Sequence, residues 1–107
     1  MAKGYYGEIR LFAADAVPEY WLPCNGQLMK IADHQALYSV VGTAYGGDGR
    51  TNFALPDLRA RIPVSAEGNH GSKVRASSHA PEIPKEDQPL LALNFCICTY
   101  GVYPPRS

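Results

Sequence analysis

Pro89-Leu90-Leu91-Ala92-Leu93-Asn94-Phe95-Cys96-Ile97-Cys98-Thr99-Tyr100-Gly101 is the stretch that decides the fold, because it reads as apolar on both sides of an extended chain. Successive side chains of a strand point to opposite faces. Leu91, Leu93, Phe95 and Ile97 therefore share one face, and Ala92, Cys96, Cys98 and Tyr100 make the other nearly as apolar. A strand of that kind is covered on both sides. The pattern predicts a C-terminal strand inserted beside an earlier strand, with its second face covered by something else, a partner chain included. Val102-Tyr103-Pro104-Pro105-Arg106-Ser107 follows as an extended tail held by its prolines.

Working back from that strand, Gly7-Glu8-Ile9-Arg10-Leu11-Phe12-Ala13 alternates, with Ile9, Leu11 and Ala13 on one face, as a half-buried strand does. The Asn25-Gly26 pair is a tight-turn signal that favours positive φ, and predicts a hairpin pairing the Trp21 segment with Gln27-Leu28-Met29-Lys30-Ile31. One short helix is expected over about 33–42. Asp33 is placed to cap it, Leu37, Val40 and Val41 recur at helical spacing, and Gly42 ends it. Residues 43–57 combine glycines with flanking aromatics and read as a shaped loop anchored by Tyr45 and Phe53. Leu58-Arg59-Ala60-Arg61-Ile62-Pro63-Val64 alternates again and reads as an edge strand, since Pro63 cannot donate to a ladder. From 65 to 88 no apolar periodicity is present, and an exposed, variable excursion is expected. The fold class that follows is α+β: small, mainly antiparallel β with one short helix, as a single domain over 1–107.

Composition excludes several functions. Ten basic and ten acidic residues in 107 leave no net charge, which removes the electrostatic footprint of a nucleic-acid binder. No apolar run is long enough for a membrane helix, and the first residues lack the apolar stretch of a signal peptide, so synthesis in a cytoplasm without a cleaved leader is expected. Three cysteines are odd in number and too few for a disulfide framework. Cys96 and Cys98 form C-x-C without a second pair at ligand spacing, so no metal is expected, and both read as small hydrophobes. Ten glycines and nine prolines point to turns and irregular loops, while 46% hydrophobic content argues against disorder.

Candidate chemistry is thin. Gly46-Gly47-Asp48-Gly49-Arg50-Thr51 lacks the Gly-Lys-Ser/Thr ending of a P-loop and reads as a structural loop. Asp57, after Pro56, is placed to cap backbone amides or to pair with Arg59 or Arg61. No serine lies in a nucleophile elbow, and Cys24 has no nucleophile signature around it, so an enzyme is not expected and no cofactor is assigned. His34, at the helix start, reads as a neutral imidazole facing solvent. The tyrosines and Trp21 leave two readings open: sugar stacking, or packing within the chain and between subunits. Trp21, Tyr45 and Phe53 fit the packing role, and Tyr100 and Tyr103 are interface candidates.

Three segments carry a family resemblance: Gly7 to Ala13, Trp21 to Leu28, and Ala36 to Arg59, the last including Tyr45-Gly46-Gly47-Asp48-Gly49-Arg50-Thr51-Asn52-Phe53-Ala54-Leu55-Pro56-Asp57. Together they resemble the phage tail collar domain. The C-terminal segment is similar to the ends of the bacterial and phage members often labelled microcystin-dependent. The resemblance implies a non-enzymatic component of a virion tail or phage-derived tail-like particle, at a collar, fibre, tip or baseplate position. It also implies homotrimer formation, as in short tail fibres, contact with other tail or baseplate proteins, and a possible role in host-surface attachment. Longer relatives carry a large insertion, often with a His-Thr-His element. Here the corresponding stretch holds only isolated His70 and His79, so metal binding is not carried over. The residues expected to matter are a structural loop of Tyr45, Gly46, Gly47, Asp48, Gly49, Arg50, Phe53 and Asp57, and an oligomer interface of Cys96, Cys98, Tyr100 and Tyr103. The competing reading is a stand-alone, lectin-like module that binds surface glycans.

Overall fold

The computed structural model describes residues 4–59, 61–65 and 92–105. The expected 65–88 excursion therefore lies almost wholly outside the described residues. Among these residues are five strands and one α-helix: β1 Ile9–Phe12, β2 Trp21–Pro23, β3 Leu28–Lys30, α1 Gln35–Val41, β4 Asn52–Ala54 and β5 Asn94–Cys98, with a 3-10 turn at Ile31–Asp33 before the helix. They form two antiparallel sheets, one ordered β1-β5-β2 and one pairing β3 with β4. The fold is small, mainly antiparallel α+β, as the sequence predicts.

β5 occupies the centre. It pairs with β1 in the register Ile9↔Ile97 to Phe12↔Asn94, and with β2 in the register Trp21↔Cys98 to Pro23↔Cys96. Pro23 is tolerated because β2 is an edge strand, where a missing N–H leaves no ladder bond unmade. The last strand of the chain thus closes a sheet begun by the first two. A parallel bridge between Tyr5 and Val102 continues the closure, with the Val102 N–H donating to the Gly4 carbonyl at 3.0 Å. Gly101 passes so close to Gly4 that a Cβ would overlap the Gly4 carbonyl oxygen, so only glycine fits there.

The main core gathers Cys24, Met29, Leu37, Phe53, Leu55 and Ile97, with Phe53 and Leu37 fully enclosed. A second, smaller cluster of Trp21, Cys96 and Cys98 lies on the other face of the three-stranded sheet, with Phe12 packed against it. The edge of Trp21 meets the Phe12 ring at 5.3 Å, and the Arg10 guanidinium sits 5.3 Å from the indole centroid. That placement adds a cation–π contact to the cover.

Four local expectations are corrected. The Asn25-Gly26 turn forms, with Gly26 at φ 78° and the Gln27 N–H donating to Asn25 Oδ1 at 3.2 Å, but it closes no hairpin. The strands on either side of it pair elsewhere, β2 with β5 and β3 with β4. The helix is shorter than 33–42. Asp33 belongs to the 3-10 turn and makes no cap, His34 is the N-cap, and Gly42 ends the helix at φ 63° as expected. Residues Arg61 to Ser65 are exposed and irregular, so no edge strand is formed by the described residues of 58–64, of which Leu58 packs on the core. Ile9 and Leu11 share a face as predicted, yet both are exposed, because β1 is an edge strand that the short helix does not reach across.

Candidate functional site

Residues 45–57 form one hydrogen-bonded unit. Gly46, Gly47 and Gly49 all have positive φ, at 131°, 95° and 72°. Gly47 is the least replaceable, since a Cβ there would collide with the Phe53 Cα and the Asn52 carbonyl. The coil these glycines allow points several N–H groups at one carboxylate. Asp48 Oδ1 accepts from the backbone N–H of Arg50 at 2.8 Å, Thr51 at 2.9 Å and Asn52 at 3.1 Å, and Oδ2 accepts from the Thr51 hydroxyl at 2.9 Å. Asn52 reciprocates, its Oδ1 accepting from the Asp48 N–H at 2.9 Å. Those donors, the Arg50 and Asn52 amides foremost, hold the Asp48 carboxyl well below the usual carboxylate range.

The loop is tied down at both ends. Tyr38, on α1, donates its hydroxyl to the Gly49 carbonyl at 3.3 Å, and its ring lies 5.4 Å from Phe53. Phe53 sits in β4 at the middle of the main core, so it anchors the loop as the sequence suggests, from a strand the sequence reading did not find. Tyr45 is half-buried and lines a shallow apolar groove with Ile9, Val40 and Pro56.

Asp57 works differently. It takes the Arg59 side chain in a fork, Nε to Oδ1 at 2.9 Å and Nη2 to Oδ2 at 2.8 Å, plus the Arg59 backbone N–H at 3.1 Å. Arg61 reaches the Asp57 carbonyl at 2.8 Å and its carboxylate at 3.7 Å. The bonded Arg59 guanidinium is the main reason the Asp57 carboxyl is also held low. Asp57 in turn bridges back to Asn25, and this joins the Asn-Gly turn to the end of the loop.

The interface candidates separate. Cys96 and Cys98 are fully buried within the chain's own small cluster, so their side chains are not available to another subunit. Burial raises the Cys96 thiol, and pushes Cys24 up to about 12 with Cys96 adding to the effect, so neither is a reactive thiolate at neutral pH. Tyr100 and Tyr103 are exposed, at 50% and 61%. They belong to a row of rings the sequence did not assemble: Tyr20 lies 5.1 Å from Tyr100, Tyr100 lies 6.4 Å from Tyr6, and Tyr6 lies 5.1 Å from Tyr103. Tyr20 is the one non-glycine with positive φ among the described residues, at 73°. It is held there by Thr99, whose N–H and hydroxyl both donate to the Tyr20 carbonyl, at 2.8 and 3.1 Å. Nothing in the sequence marks a tyrosine for that conformation.

Among the described residues no group of three or more His, Cys, Asp or Glu side chains is placed to hold a metal, and no helix is long and apolar enough to cross a membrane. What the geometry defines is a braced loop and a closure between the segments 4–7 and 98–102, the features of a structural module.

The comparisons with known proteins agree with that class. The family model Phage Tail Collar Domain matches residues 7–63, more than half of the chain, and the protein belongs to this family. The match runs from β1 through the braced loop and the Asp57 turn. The chain is also similar to short tail fiber protein gp12 of Enterobacteria phage T4, 36% identical over 66 residues. That stretch is 60% of this chain and 12% of the relative, so the chain spans about an eighth of the relative's length. No solved structure matches the chain.

Proposed function

We propose that this protein is a structural, non-enzymatic subunit of a phage tail or phage-derived tail-like particle, at a collar, fibre, tip or baseplate position. The observation that carries the reading is the collar-family match across 7–63, which includes the whole Asp48 loop. The tail-fibre name of the T4 relative supports it. In this reading the loop is a rigid spacer whose two carboxylates are bonded locally, and the chain works as one domain over 1–107 with 65–88 as a variable excursion.

The subunit assembles with copies of itself, as a trimer, and with other tail or baseplate proteins. Support for the contact surface comes from Tyr100 and Tyr103, whose rings remain exposed while Cys96 and Cys98 are already covered. Aromatic residues with one polar atom suit such surfaces. Mass spectrometry and immunogold labelling of particles purified from the producing bacterium test the location: the chain is expected in the tail fraction, and its absence there refutes the assignment. Sedimentation equilibrium tests the assembly, for which a clean 11.7 kDa monomer at micromolar concentration is the adverse result.

A second reading, glycan binding that aids attachment to a host surface, is favoured by the exposed Tyr103 ring beside Tyr6. On a glycan array it predicts specific binding that Tyr103→Ala removes. Binding to no glycan leaves the structural role alone.

A further inference from the structure

We propose that the cleft between the β3–α1 connection and the entry to β4 binds a small oxyanion, a phosphate or carboxylate group carried on a compact hydroxyl-bearing body such as a sugar. The cleft is built by backbone pairing. Lys30 faces Asn52 across the β3–β4 ladder, and just beyond it the Ile31 N–H donates to the Thr51 carbonyl at 3.1 Å. Met29 and Phe53, the pair before, point into the core, so alternation puts Lys30 and Asn52 on the outer side. Arg50 enters the same cleft from the braced loop, and Gln35 enters it from the first turn of α1.

The lining has two cations and no acid. Among the described residues the ion pairs are Arg10 with Glu8, and Arg59 and Arg61 with Asp57; Lys30 and Arg50 take part in none of them. Asp48, two residues from Arg50, spends its carboxylate on three backbone N–H groups and the Thr51 hydroxyl. The Arg50 backbone is itself fixed by one of those bonds, which places its guanidinium fork on a rigid base. Asn52 has committed its Oδ1 to the Asp48 N–H, so its remaining group is the Nδ2 donor. Charge complementarity therefore selects an anion, and the donors match phosphate or carboxylate oxygens. Ile31 and Ala32 add apolar surface to the lining, and Gln35 and Thr51 add polar groups. Apolar lining beside polar groups accepts the aliphatic face of a small body and bonds its hydroxyls. The inference stands whether or not the chain assembles into a tail.

Amide chemical-shift titration of the full chain, with glucose 6-phosphate, glucuronate, inorganic phosphate and glucose as probes, tests this. Exposed cations give weak binding, so a dissociation constant of about 1 mM is expected for the two sugar anions. Their shifts should saturate and centre on 30–35 and 50–52, and weaken as salt screens the cations. Glucose should give no saturable shift, and inorganic phosphate should bind about threefold more weakly, since it leaves the apolar lining uncovered. Lys30→Gln and Arg50→Gln should each weaken binding about fivefold, with unchanged thermal midpoints because neither side chain is packed. Three results overturn the proposal: no saturation by about 20 mM of either sugar anion, shifts centred elsewhere, or wild-type binding by the folded double variant. Phosphate binding as tightly as the sugar phosphate overturns the part played by Ile31 and Ala32.

Discussion

On one face of β5, Ile97 packs with Phe53, Leu37 and Leu55, residues supplied by the helix, by β4 and by the chain after it. On the other face, Cys96 and Cys98 lie under Trp21 and Phe12, residues of the two strands that flank β5 in the same sheet. Among the described residues the first face is backed by the helix and the second sheet, whereas the second face is backed by neither and has only the Gly4 and Gly101 segments passing over Trp21 and Cys98. What makes so thin a cover sufficient is the contrast in size. Two small thiol side chains on the central strand leave room for large rings from its neighbours to fold across, and Arg10 closes the indole from outside. A face that reads as needing a partner is thus covered from within the sheet, while Ile9 and Leu11 on the edge strand, which read as buried, are left at 39% and 53% exposure.

That contrast can be broken most directly by truncation. Phe53→Ala should cost about 3–5 kcal/mol, since the enclosed ring leaves a cavity that two layers cannot collapse into. Trp21→Ala should fall at the low end of that range, about 3 kcal/mol, because among the described residues no helix or second sheet backs it and its surroundings can settle. Urea midpoints compare them, and a Trp21→Ala cost above that of Phe53→Ala would refute the two-layer account. Next in size is Gly101→Ala, at about 1–3 kcal/mol, since the segments around Gly4 and Gly101 must part to admit a methyl group. Hydrogen exchange should then show faster exchange at Val102 and Tyr6, whose N–H groups bond across the closure. Phe12→Leu keeps most of the volume over the thiols and should cost less than about 1.5 kcal/mol.

The smallest effects concern the two aspartates. Both carboxyls titrate lower in the folded chain than their ordinary value. The stability they supply is therefore present above about pH 4, the unfolded range, and is lost as pH falls from there through the folded values. Asp48→Asn and Asp57→Asn should each flatten the acid side of a thermal-midpoint profile. Salt distinguishes them. Near 1 M salt, where the Debye length is about 3 Å, the Asp57 contribution should shrink, because its partners are exposed guanidinium groups. The Asp48 contribution should persist, because its partners are backbone amides in a fixed coil. Equal salt sensitivity would sink the distinction.

Much of this was legible because it is local. Gly42 as a helix end, Gly26 in a turn with φ above zero, the glycine coil around Asp48, and Asp57 beside Arg59 and Arg61 all follow from conformational preferences and charges within a few residues. Asn52 could have been added to the loop, since a polar side chain four residues after Asp48 can return the backbone bond. The misses are non-local. Asn25-Gly26 announces a hairpin, yet the choice of ladder partner for β2 depends on β5, more than seventy residues away. Asp33 loses the cap because the 3-10 turn uses it. Tyr20 takes a strained φ at which Thr99, nearly eighty residues on, bonds its carbonyl.

The sequence by itself determined the fold class, the central place of the C-terminal strand, the braced loop and the family, because each is set by alternation, turn chemistry and a contiguous tract of motif. Tertiary structure alone decided which apolar faces are covered. Burial depends on what the rest of the chain brings to a surface: it placed rings from flanking strands over two small thiols, set the tyrosines in a row beside the closure of Gly4 on Gly101, and left the edge strand outside the reach of a seven-residue helix.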